Sequence, residues 1–595
     1  MRRSFGTNSK NSKDKKKASS KEPSAPQTWE EYMEEGVLLE EKAPSKLGEQ
    51  IDINSIGERY GTGDKARRFY EKAGDMYNKA CKLNPGDSDC LYNFGRVLYI
   101  LVDFTHSSCQ KLSLLNASIE RFRSALNYDP ENADTLFNLG QALTTHAEVI
   151  QDHNEDDEEH DHEHKREESE YEGSPEERAA LELQEAVALF ENCYSIQQHN
   201  LYDAVQEVHP KNPSSNDDKS PEVLEQEIKE LSSAAGALID TLVSTSQALT
   251  SLGFLVVTKE RSEDYYRQAV QRLDVALGVA KDKLLWPAEE ESSSNEVTAE
   301  LLIDGESEDV LPATKPVSTF REAESQSDSV SQQEKLCDIH LQYSTVYSSQ
   351  ADRHFDDAGV ISEELNEKAL RHLNTVLGYQ PRNVVALCDK GDLLGGWAQG
   401  LARQEKASGT LTDKDLERWD SASTISFGTS DAVAAEPSES TEGDKISRPA
   451  KIWQLFASAT RAFLTALEVE PQNTSILEKL GDIHWSRSRL SSPVALKNRP
   501  TLLNNASVYY RYAWDSCKEA TGDNVNEEQR LEILLSWAQV LWSIPGKDDD
   551  VLRVLKQWKR LGGTKEMLRQ LLEDDSGDIL QEDFIEFALK KVRTL

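Results

Sequence analysis

Ala73-x-x-x-Tyr77-x-x-Ala80-x-x-x-x-Pro85 is followed within six residues by Leu91-x-x-Phe94-Gly95-x-x-Leu98. At 3.6 residues per turn, Ala73, Tyr77 and Ala80 share one helix face, and Pro85 blocks continuation because it cannot donate the next backbone hydrogen bond. A second apolar helix then starts at once, so the segment reads as part of a helical hairpin. The pattern recurs as Ser118-Phe122-Ala125-Pro130 followed by Leu136-Leu139-Gly140-Leu143. It returns as Ala369-Leu373-Val376-Pro381 before Leu387, Gly391 and Leu394, and as Ala459-Phe463-Ala466-Pro471 before Leu477-Leu480-Gly481. Weaker copies stand at Ala186-Phe190-Cys193, Ala269-Leu273-Ala276 and Ala506-Tyr510-Ala513, the last leading into Leu534-Trp537-Ala538-Leu541. Close helix approach explains the alternation: Gly or Ala sits where two helices cross, and an aromatic or Leu fills the space between hairpins.

This order of small, aromatic and proline positions resembles the tetratricopeptide repeat, a helix-turn-helix unit of about 34 residues. The resemblance implies an all-α fold, a right-handed α-solenoid of about seven to eight hairpins. Loosely, and in architecture alone, the chain is similar to fungal repeat proteins with acidic insertions linked to translation termination and nuclear transport. Pro85 to Pro130 spans 45 residues and Pro381 to Pro471 spans 90. The extra residues are expected at the turn within each hairpin, which would place long insertions along one rim of the solenoid.

Composition bounds the rest. The chain has 595 residues, 67 Lys+Arg against 106 Asp+Glu, a formal charge of −39, and 37% hydrophobic residues. No apolar run approaches the roughly 20 residues of a membrane span, the longest being about that of 252–257, so no membrane partner is expected. Seven scattered cysteines without a Cys-x-x-Cys pair fit a reducing compartment, and a cytoplasmic or nuclear location is the expectation. Residues 151–173 carry 12 acidic and 2 basic side chains, as do residues 289–328; such tracts repel themselves and have little to bury, which predicts disorder. The expected organisation is a basic disordered arm (1–27), a first repeat half (28–282) interrupted at about 150–175 and 203–222, and an acidic linker (283–333). A second half (334–560), interrupted at about 405–449, and capping helices (561–595) complete it. Trp29, Tyr32, Gly36 and Leu39 read as a terminal first helix whose partner begins near Lys65.

No residue set points to catalysis. A Gly-rich phosphate loop, a Gly-x-Ser-x-Gly elbow and a His-Glu-x-x-His helix are all missing, and no strand–helix alternation is present to seat one. His153, His160, His162 and His164 alternate with carboxylates, but a catalytic metal needs ligands fixed on a rigid frame, so no metal or other cofactor is expected. Binding remains. The resemblance implies a concave groove lined by the first helix of each hairpin, helix A. By register the groove residues are Tyr92, Asn93 and Arg96, then Phe137, Asn138 and Gln141, then Asp389 and Asp392, then Glu478, Lys479, Asp482 and Trp485.

Family members that hold the acidic C-terminal peptide of chaperones use Lys, Asn and Arg at set places. Only Asn93 matches here, with Met33, Val37, Asp134 and Asn138 at others, so that clamp is not expected. The carboxylates of the second-half groove and the acidic tracts favour basic partners. The expected function is a non-catalytic scaffold or escort for Lys/Arg-rich protein segments. The alternative is a regulatory or assembly subunit of a translation or nuclear-transport complex that binds through Tyr92, Phe137 and Trp485. Nucleic acid is disfavoured at this net charge, except by the basic arm at Arg2–Lys21.

Overall fold

The computed structural model describes residue 26 and residues 28–42, 64–105, 107–156, 174–208, 221–286, 332–408, 447–519, 527–573 and 580–592. The basic arm, most of the acidic linker, His160, His162, His164 and the greater part of each insertion lie outside these residues, while His153 falls in the last turns of the helix that ends at Asp156. The described residues form 18 helices. They are α1 (Trp29–Lys42), α2 (Asp64–Leu83), α3 (Ser88–Val102), α4 (Ser108–Tyr128), α5 (Ala133–Asp156), α6 (Pro175–Val208), α7 (Pro221–Leu255), α8 (Lys259–Ala280) and α9 (Gln332–Ala358). The second half continues with α10 (Glu363–Tyr379), α11 (Val384–Ser408), α12 (Arg448–Val469), α13 (Thr474–Ser488), α14 (Pro493–Glu519), α15 (Glu527–Trp542) and α16 (Asp548–Arg560). The last two are α17 (Lys565–Glu573) and α18 (Glu582–Val592). Odd helices α1 to α15 each pair with the next even helix, giving eight hairpins of a tetratricopeptide-like solenoid, with α17 and α18 packed at the end.

The small and aromatic positions meet as close packing requires. Gly36 lies against the ring of Tyr77, Gly95 against Phe122, Gly140 against Phe190, Gly391 against Phe463 and Gly481 against Tyr510. Each ring is at most 1% exposed. In the α9 hairpin Leu373 takes the place of the aromatic and packs with Cys337 and Leu341, and beside it His340 Nδ1 lies 2.9 Å from Nδ1 of His372 on α10. Burial pushes His372 down to about 4, and Tyr343 stacks on its ring at 4.4 Å.

Each proline that closes a second helix is followed two residues later by a cap: Asp87, Asn132, Asn383 and Asn473. Asp87 accepts from the backbone N–H of Cys90 at 2.8 Å and Asn473 from that of Ile476 at 3.1 Å, satisfying donors that a helix start leaves open.

Two sequence expectations change. The 45-residue spacing is absorbed by helix rather than loop, because α4 runs 21 residues and the turn before it is only 103–107. Nor do insertions share one rim. The segments 43–63, 157–174 and 409–447 join the two helices of a hairpin, whereas 209–220 and 281–331 join one hairpin to the next. Turns within antiparallel hairpins and links between them leave opposite edges. The helices also run into the expected gaps, with α5 reaching Asp156, α6 Val208 and α11 Ser408.

The acidic linker does not divide the core. One apolar cluster contains Leu273 before it, Leu285 and Trp286 from its first residues, and Leu336, Ile339 and Tyr343 after it. Tyr343 donates to Asp274 at 2.5 Å, and Lys335 pairs with Asp240 at the same distance.

Candidate binding groove

Among alternate helices of the eight hairpins, α3 touches α5, α5 touches α7, α7 touches α9 and α11 touches α13. All are first helices, so the solenoid is tightest along that side, and a row of polar contacts runs along it. Arg96 pairs with Glu40 of α1. Asn138 donates to the Tyr92 hydroxyl at 3.3 Å and Gln141 to Ser244 of α7 at 2.7 Å. Further on, Lys479 bridges to Asp392 at 3.0 Å, Gln399 donates to Ser486 at 3.2 Å, and Gln529 of α15 donates to Glu478 at 3.0 Å.

The residues expected to face a partner therefore divide. Asn93 and Asn138 each donate back to their own helix, to the carbonyls of Asp89 and Asp134. Phe137 is half-buried against Phe190, with ring centres 5.8 Å apart. Asp482 accepts from the Tyr510 hydroxyl at 2.5 Å. Trp485 is the correction: it is 4% exposed, packed with Leu503, Ala506 and Tyr510, and offers a partner no surface. Its place in the register is a core position once α14 covers it.

What stays open is carboxylate. A recess of about 540 Å³ between α9 and α11 is lined by Asp352, Asp389 and Asp392, with Ser344, Ser348 and Thr345 beside them and Arg403 as its one cation. Burial pushes Asp352 up to about 6, helped by Asp356, and Asp389 up to about 6, helped by Asp392. Neither Asp352 nor Asp389 has an ion pair among the described residues. Nearby, burial lifts Glu478 to about 7 and Asp338 to about 6. Partly dehydrated acids of this kind gain from an incoming cation, which restores the stabilisation of charge that water no longer supplies. Register alone selected Asp389; Asp352 and the serines come from α9, which carries no glycine to set the register.

Comparison with known proteins bears on the fold. A family model described as the plant specific mitochondrial import receptor subunit TOM20 matches residues 65–223, which run from α2 into the start of α7. No curated protein sequence matches the chain. Among solved structures, the chain is similar to the nuclear import adaptor Nro1, described as the hypoxic regulator of sterol synthesis, at 12% identity and a TM-score of 0.27. That match covers 78% of this chain and 98% of Nro1. A monomeric mutant of IFIT1 with Gppp-AAAA matches at 10% identity and a TM-score of 0.27, covering 94% of this chain and 95% of that one. Yeast Tom70 matches at 11% identity and a TM-score of 0.16, covering 94% and 96%. Superpositions this loose support nothing about function. No helix among the described residues is long and apolar enough to cross a membrane. With eight hairpins among the described residues and Gly–aromatic crossings within them, the fold is an all-α, tetratricopeptide-like solenoid.

Proposed function

We propose that the chain is a non-catalytic adaptor that holds a Lys/Arg-rich segment of another protein against the second-half groove, in the cytoplasm or nucleus. The observation that carries this reading is the recess between α9 and α11, where three aspartates face one arginine, Arg403, and where Asp352 and Asp389 are raised to about 6 by burial and have no ion pair among the described residues. A lysine or arginine entering it exchanges water for two carboxylates, and the formal charge of −39 steers such a segment inward. The apolar alternative keeps Tyr92 and Phe137 but loses Trp485 to the core.

The test is titration of a labelled Lys/Arg-rich peptide into the full chain at two salt concentrations. Binding should weaken steeply between roughly 0.1 and 0.5 M salt, as the Debye length falls from ~10 Å toward ~4 Å. Asp352→Asn with Asp389→Asn should weaken it further. Equal affinity at both salts, or no response to the paired substitution, would sink the reading.

A further inference from the structure

The opposite face carries a feature of the other sign. Between the second helices α10 and α12, above α11, lies a recess of about 990 Å³. Four cations line it: Lys390, Arg448, Lys451 and Arg461. Lys451 pairs with Glu363 at 2.8 Å and sits 4.8 Å from the centre of the Trp397 ring. The other three have only neutral acceptors among the described residues: Lys390 donates to Asn374 at 2.8 Å, Arg448 to Gln404 at 2.7 Å and Arg461 to Ser458 at 3.3 Å. In a chain with 106 acids to 67 bases, this lining holds four cations and one carboxylate, Glu363, which is already paired with Lys451. Leu387, Leu394 and Leu455 supply apolar walls. Burial and the neighbouring Arg461 hold Lys390 below the usual lysine range, so an anion placed there would be strongly favoured.

We infer that this recess is a second docking site, for an acidic protein segment carrying leucine-sized side chains, whose carboxylates meet Lys390, Arg448 and Arg461 while its apolar groups fill the leucine-walled space. Two observations choose a protein segment over a nucleic acid. The apolar walls offer nothing to a phosphate backbone, and the net charge of −39 repels a duplex carrying one charge per ~1.7 Å. The site opens between the second helices α10 and α12, with Lys390, Leu387 and Leu394 contributed by α11, whose Asp389 and Asp392 line the other recess, so one molecule could hold a basic segment in one recess and an acidic one in the other.

A fluorescein-labelled peptide of sequence Glu-Asp-Leu-Glu-Glu-Leu-Leu-Glu-Asp-Leu, titrated into the full chain and followed by anisotropy, tests this. Saturable binding is expected. Arg448→Glu with Arg461→Glu, both on exposed side chains, should weaken it at least about tenfold, as should replacing the peptide leucines by serine. Lys390→Gln, milder in charge and size, should weaken it several-fold with an unchanged thermal melt. Asp352→Asn with Asp389→Asn should leave it alone, which separates this site from the groove. The inference falls if no saturation is reached by about 1 mM, if the charge-reversed chain binds as well, or if the leucine-free peptide or a single-stranded oligonucleotide binds equally.

Discussion

Gly391 and Gly396, both on α11, should respond in opposite directions to the same added methyl group. A Cβ on Gly391 would stand 2.5, 2.6 and 2.7 Å from three ring carbons of Phe463, whereas a Cβ on Gly396 meets nothing within 4 Å. Ordinary carbon contacts lie near 3.5–4.0 Å, so the first methyl overlaps the ring by about 1 Å. Phe463 is 1% exposed and packed with Ala459 and Leu480, which leaves it little room to retreat. Overpacking of this kind costs ~1–3 kcal/mol, against a gain of ~0.5–1 kcal/mol from replacing a helical glycine. Gly391→Ala should therefore lose about 0.5–2 kcal/mol, and Gly396→Ala should gain about 0.5–1 kcal/mol. Urea unfolding followed by far-UV circular dichroism reads the difference. With a slope of ~3 kcal/mol/M, a 2 kcal/mol gap separates the midpoints by ~0.7 M. Slopes must agree, because stacked repeats need not unfold as one unit. Phe463→Leu in the Gly391→Ala background should recover part of the loss, a coupling that double-mutant cycles resolve. A Gly391→Ala midpoint at or above that of the unsubstituted chain would refute the reasoning.

Other outcomes follow from the same geometry. Gly140→Leu and Gly481→Leu should each destabilise by about 1–3 kcal/mol in the same denaturation assay, since a Cβ there already meets Phe190 at 2.6 Å and Tyr510 at 2.9 Å. Ser118→Ala removes a 2.8 Å hydrogen bond to the buried carbonyl of Gly95 and should cost about 1–2 kcal/mol, measurable as a lower thermal midpoint. Glu478 is raised by burial to about 7, so between the ordinary carboxylate range and pH 7 the folded chain holds a proton that the unfolded chain has released. Its contribution therefore makes stability fall as pH rises through that window, and Glu478→Gln should flatten the fall in denaturation curves taken from pH 5 to 7.5. Basic-peptide affinity should move the other way, rising over pH 5–7.5 as Asp352 and Asp389, raised to about 6, ionise. Trp485→Ala should lower stability by about 3–5 kcal/mol through a core cavity, with peptide affinity unchanged at temperatures where the chain stays folded.

The hairpins were legible because their requirement is local. Ala459, Phe463 and Ala466 recur at helical spacing, and a terminal proline resets the phase, so periodicity alone places the core face. The cap two residues after each proline is equally local and marks where Asp87, Asn132, Asn383 and Asn473 start the next helix. The groove was only partly legible, because register says which way a side chain points and not what meets it. Gln141 finds Ser244, 103 residues away, and Lys335 finds Asp240, 95 residues away. Trp485 looked like a partner-facing aromatic because the burying helix, α14, follows on a different face of the stack. In the α9 hairpin the second helix was legible from Ala369, Leu373 and Val376, whereas the first has no glycine in its packed stretch and meets its partner through His340 and His372.

Because residues on both sides of 287–331 share one apolar cluster, the packing is expected to survive loss of covalent continuity there. Gln332 donates to the Ala280 carbonyl at 2.6 Å and Tyr266 meets Ser349 at 3.0 Å, so the two sides hold each other without the intervening peptide. A protease that nicks this stretch should yield two fragments that co-elute and melt together, and two polypeptides co-expressed from separate messages should reassemble. The long link can therefore vary in length and sequence without reshaping the stack on either side.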